Sequence, residues 1–184
     1  WDSSSFPDDI KVVLGPDGED GLPDKEYWIK AGSRKRWIKP GDDNAGFAAW
    51  VWENASGIVE LGPGRHYGEW WGSGIQRGYG LPKGEKRFSL FNTKKWGQLA
   101  AEAVAAREFL LGVPGLSAVP TILTADGSVL NQSVTSAMNF LKVWGSKAAP
   151  EFMNPEGVVV YHHALNGYLK VTFENDETGK GYGA

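Results

Sequence analysis

The sequence predicts an α+β protein, a largely antiparallel sheet flanked by helices. Three observations predict it. Short stretches alternate apolar and polar residues, two longer stretches carry helical periodicity, and clusters of Gly, Pro, Asp and Asn separate them. The 184 residues are 41% hydrophobic and include nine tryptophans, which suits one domain with a real core, spanning residues 1–184.

Along the chain, "IKVVLG" (10–15) and "EYWIKAGS" (26–33) read as strands joined by a long Gly/Pro/Asp turn. "DDNAGFAAWVWENA" (42–55) is predicted to be a helix capped by Asp42 or Asp43, with "GIVELG" continuing it or forming a connector. "HYGEWWG" (66–72) and "KRFSLFNTK" (86–94) have strand character. "WGQLAAEAVAAREFLLG" (96–112) reads as a helix stopped by Gly112, and "VPTILTADG" as opening with a short strand. A second helix is predicted over 131–150, ending near Gly145. A hairpin over 156–174 is predicted to start with a buried apolar run and turn at Asn166-Gly167.

The formal charge of −3 gives no case for nucleic-acid binding by itself, but the cations are unevenly spread. Lys30, Arg34, Lys35, Arg36 and Lys39 gather in "KAGSRKRWIK", which suits phosphate binding or a solvated face equally. There are no cysteines, so disulfides and thiolate metal sites are excluded and a cytoplasmic protein is expected. No apolar run approaches the roughly 20 residues of a membrane span, so no membrane partner is expected. HExxH, the phosphate-cradling GxxxxGK[ST] loop and GxSxG are all missing. His162 and His163 are adjacent, and on a strand would face opposite ways.

Several residues remain as candidates for chemistry. Glu69, among glycines and aromatics, could accept two hydrogen bonds from a ribose diol, with the glycines admitting a ligand to the backbone. Glu156, at the start of "EGVVVY", suits a metal-coordinating carboxylate, and Lys170 in an alternating run could neutralise a phosphate. Phe88 and Phe91 could stack on a base or belong to the core. Arg34 and Arg36, two apart on an extended segment, would share a face toward phosphate or a nucleic-acid end. Each acid or lysine is equally readable as a solvated surface group.

In order, these segments resemble the ATP-dependent RNA ligases of the covalent nucleotidyltransferase superfamily, which also holds DNA ligases and mRNA capping enzymes. "AGSRKRWIKPGDDNAGFAAWV" resembles the arginine-bearing segment after the family's nucleophile. "HYGEWWGSGIQRGYG" is similar to motif III, "KRFSLFN" to motif IIIa, "EGVVVY" to motif IV and "GYLKVTFE" to motif V. The resemblance covers about residues 30–175. It implies a nucleotidyltransferase (ATP-grasp-like ligase) core that binds ATP, with Mg2+ or Mn2+, and acts on RNA ends, DNA ends not being distinguished. It also implies a lysyl-AMP, transfer of AMP to a 5′-phosphate, and sealing by a 3′-hydroxyl.

By that resemblance Glu69 would grip the ribose, and Phe91 or Phe88 would stack on adenine. Arg34 would lie near the ribose and, with Lys35 and Arg36, near the nucleic-acid end. Glu156 would hold the metal, and Lys170 would contact the α-phosphate, these two being the catalytic groups present. Motif I, which carries the nucleophilic lysine, has no match, and motif V has Thr172 where a second lysine is familiar. The chain starts at Trp1, so motif I is expected upstream of it and the chain as given should not self-adenylylate. The alternative is a noncatalytic nucleotide- or nucleic-acid-binding module on the same fold.

Overall fold

The computed structural model describes residues 10–14, 25–43 and 45–173; the Gly/Pro/Asp turn expected before residue 25 lies outside them. The described chain is α+β, but its strands form three small sheets rather than one. β1 (Ile10–Leu14) pairs with β2 (Lys25–Ile29). β3 (Gly68–Gly72), β4 (Lys86–Leu90) and β5 (Leu116–Ala118) form the second sheet, and β6 (Gly157–His162) pairs with β7 (Gly167–Thr172). All pairings are antiparallel except β4 with β5.

Each sheet buries one face against helices, the first two sharing a helix between them and the third having one of its own. Ile10, Val12, Tyr27 and Ile29 of the first hairpin pack on α1 (Phe47–Glu53) and α2 (Ala55–Ile58). The central sheet turns Trp70, Phe88, Leu90 and Leu116 toward α1 and α3 (Thr93–Ala105). Phe47, Trp50, Trp70 and Phe88 meet there with ring centroids 4.9–5.8 Å apart. Leu90 and Leu116 are fully buried, each burial contributing about 1.5–3 kcal/mol. Val158, Val160 and Val171 of the third sheet pack on α4 (Leu130–Trp144) through Ala137 and Leu141.

Local chemistry sets the helix ends. Asp43 caps the entry to α1, accepting from the Gly46 N–H at 2.8 Å and the Ala48 N–H at 2.5 Å. Asn92 caps α3 by accepting from the Lys95 N–H at 3.1 Å. Gly145, at φ 73°, ends α4 as expected. By contrast α3 stops at Ala105, well short of Gly112. Arg107 takes φ 59°, and the chain then turns so that Leu110 and Val113 enter the core. Their burial overrides the helical propensity of "REFLL".

Three further expectations are corrected. The short strand is Leu116–Ala118, upstream of "VPTIL". β6 is buried on one face only, with Val158 covered and Val159 exposed. The hairpin turn spans residues 163–166, because His162 already pairs with Gly167; Asn166 sits at φ 45°.

Candidate functional site

The central sheet has a second face, opposite the core. In register, Glu69 stands across from Ser89, Trp71 from Arg87, and Ser89 from Ser117. One end of this face is covered. The Trp71 indole N–H donates to Ser89 Oγ at 2.8 Å, and Ser89 Oγ lies 2.8 Å from Ser117 Oγ. This pairing satisfies polar groups whose burial would otherwise be costly. The Tyr79 ring packs on Trp71 at 5.5 Å, and Phe152 packs on Tyr79 at 4.7 Å.

The other end is open. Glu69 is exposed there, and Phe91 continues the alternation of Arg87 and Ser89 onto the same face, 42% exposed. The Phe91 N–H donates to the Tyr67 carbonyl at 2.9 Å, so the ladder extends one pair beyond β3 and β4. Tyr67, itself exposed, joins the pair. It was missed in the sequence, although the alternation Tyr67, Glu69, Trp71 is the signal that finds it.

Phe88, by contrast, is only 8% exposed and lies on the core face. Its expected alternative role on adenine is corrected, because the ring is enclosed by Phe47, Trp50 and the backbone at Gly68. The glycine beside Glu69 also has a structural task. A Cβ on Gly68 would come 2.5 Å from the Ser89 carbonyl oxygen and 2.6 Å from the Phe88 ring. Gly68 thus lets the core ring close against the strand rather than admitting a ligand.

Glu156 and Lys170 are brought together on the third sheet. Lys170 Nζ donates to Glu156 Oε1 at 2.5 Å, both side chains about half exposed. An exposed pair of this kind contributes only about 0–1 kcal/mol, so a phosphate can take the ammonium at little cost. Gly157 sits between Glu156 and the first buried valine at φ 152°. The two candidate pairs therefore occupy different sheets. A link between the sheets runs through Arg77, which donates to the Asn154 carbonyl at 3.4 Å, and through the Tyr79–Phe152 contact.

No group of three or more His, Asp or Glu side chains able to hold a metal occurs among the described residues. A lone carboxylate fits Mg2+ only in the mode where substrate phosphates and waters complete the shell. Glu156, paired with the Lys170 ammonium, is such a lone carboxylate.

Arg34, Lys35 and Arg36 are not on an extended segment, which corrects the expected shared face. The Ser33 N–H donates to the Arg36 carbonyl at 2.8 Å, and Ser33 Oγ accepts from the Lys35 and Arg36 N–H groups. This tight turn puts Arg34 and Lys35 at its tip. Arg36 folds back, and its Nη1 lies 2.6 Å from Asp42 Oδ2. The Arg36 guanidinium holds the Asp42 carboxyl below its ordinary value of 3.8. A carboxylate lowered in the folded state supports the fold above the unfolded value and ceases to as pH falls through the folded one. NMR titration of the Asp42 carboxyl is expected to give a midpoint below 3.8 in the wild type and a shift up to the ordinary value in Arg36→Ala. An unchanged midpoint would contradict the clasp.

A cavity of about 350 Å3 lies at the covered end, lined by Tyr79, Leu81, Arg87, Pro150, Glu151 and Phe152. None of the sequence-predicted residues lines it. Arg87 there is held by Glu85 at 2.6 Å, and concavity alone does not make this the site. Among the described residues no helix is long and apolar enough to cross a membrane. Comparison with family models, curated proteins and solved structures gives no match.

Proposed function

We propose that the chain binds ATP and serves as the nucleotidyltransferase domain of an ATP-dependent RNA ligase, with the nucleophilic lysine supplied from outside the residues given. The observation that carries this reading is the open end of the central sheet, where Glu69 and Phe91 stand on neighbouring strands with Phe88 turned away. A carboxylate beside a flat exposed ring matches a ribose joined to a base. The Glu69 oxygens accept from the two ribose hydroxyls, and Phe91 offers one face to adenine. Lys170 leaves Glu156 and neutralises the α-phosphate, which stabilises charge developing at phosphorus. The freed Glu156 carboxylate would hold Mg2+ or Mn2+, whose charge would screen the phosphates.

The missing motif I lysine favours a second reading, a noncatalytic module that binds nucleotide through the same residues. Both readings require Glu69. Glu69→Ala is expected to abolish ATP binding, followed by quenching of the intrinsic tryptophan fluorescence, while leaving the thermal midpoint unchanged, because the side chain is exposed. A lowered midpoint with intact affinity would mean that the carboxylate is structural.

A further inference from the structure

The β1–β2 hairpin has one face in the core and one in solvent. Tyr27, Ile29 and Ala31 point inward, so Trp28, Lys30 and Gly32 alternate onto the outer face. Lys11 stands across from Trp28, and Trp37 across from Gly32. Both tryptophans are half exposed, Trp28 at 51% and Trp37 at 53%. Each carries an ammonium over its ring, Lys11 at 5.8 Å from Trp28 and Lys30 at 5.1 Å from Trp37. A Cβ on Gly32 would come 3.0 Å from the Trp37 ring, so the indole rests against the Gly32 backbone and its exposed area faces away. Gly32, the bridge partner of Trp37, lies four residues along the chain from Trp28. Beyond Trp37 the turn presents Arg34 and Lys35 at its tip.

A single exposed tryptophan needs no explanation. Two on one face, with Lys30 between them and a basic tip beyond, form the combination that single-stranded nucleic acid requires; Lys11 on the same face is paired with Glu26 and is not counted. Rings take unstacked bases and cations track the phosphates between them. A duplex offers no free base faces to such rings.

We infer that the Trp28–Trp37 strip, with Lys30, Arg34 and Lys35, binds single-stranded RNA. The choice of RNA rests on the ligase reading; the preference for a single strand rests on the strip itself. Arg36 shapes the turn, its guanidinium donating to both Asp42 carboxylate oxygens and to the Asp42 carbonyl.

Fluorescence anisotropy of a labelled, 5′-phosphorylated 12-nucleotide RNA tests this, with the blunt duplex of the same sequence and anionic phospholipid vesicles as rival ligands. Wild type is expected to prefer the single strand, and Trp37→Ala to weaken it about 5- to 150-fold. Trp37→Phe should restore most of the binding, which a merely structural role at Gly32 does not predict for a variant with the wild-type thermal midpoint. Arg34→Ala should lower the salt dependence by about one phosphate contact. Equal binding of duplex, binding of vesicles in place of RNA, or wild-type affinity in Trp37→Ala would overturn the inference. ATP binding is measured on the same samples. RNA binding without ATP binding sinks the ligase reading and leaves the strip; ATP binding without RNA binding sinks the strip alone.

Discussion

Phe88→Ala is expected to destabilise the protein by about 3–5 kcal/mol, against a total of roughly 5–15 kcal/mol for an ordinary domain. The ring is the centre of the aromatic cluster, in contact with Phe47 at 4.9 Å and Trp50 at 5.8 Å. The same ring fills the space above Gly68 and lies beside fully buried Leu90 and Leu116. Truncation leaves a cavity bounded by three elements, α1, β3 and β5, which cannot all collapse inward. Phe91→Ala, three residues away, should behave in the opposite manner. Phe91 is 42% exposed against 8% for Phe88, so stability should fall far less, by about 1 kcal/mol at most. Its nucleotide affinity should instead fall by about 1–3 kcal/mol, the contribution of one base stack. Denaturant unfolding and ATP titration of both variants separate the roles; a Phe91→Ala that loses stability and keeps affinity would reverse them.

Gly157→Ala carries the second large effect. At φ 152° an L side chain is strained, by about 1–3 kcal/mol, and its Cβ would run into the Val171 carbonyl and the Thr172 backbone of the partner strand. Neither neighbour is a flexible side-chain end, so the strands must part where Gly157 pairs with Thr172. Separation there would also pull Glu156 from Lys170 and loosen Val158 from Ala137 and Leu141. Amide hydrogen exchange is expected to accelerate across β6 and β7 while β3 and β4 keep their protection. Unchanged protection in β6 would show that the backbone can adapt.

These positions also show what the sequence made legible. The alternation of "KRFSLF" identified β4 and left Phe88 and Phe91 both open, because period two assigns faces only relative to one another. Which face meets the core depends on Phe47 and Trp50, some 40 residues earlier. α4 was legible from its periodicity and Gly145. α3 was overextended because "REFLL" favours helix locally, whereas Leu110 is drawn into the core. β5, three residues long and parallel to β4, carries too short a pattern to be read alone. The division into three sheets was hidden for the same reason, since pairing across long separations follows from which helix covers which face. At the site, Glu156 and Lys170 were named separately, and their contact arises from the hairpin register. The turn at Ser33 was missed because "GSRKRW" reads as extended when Ser33 is not recognised as the acceptor that closes it.

In the proposed reading one nucleotide engages both sheets. Titration of Mg-ATP into isotopically labelled protein, followed by amide NMR, tests it most directly. Amides around Glu69 and Phe91 and those around Glu156 and Lys170 are expected to shift together along curves fitted by a single dissociation constant. Shifts confined to one sheet, or two separate constants, would contradict it.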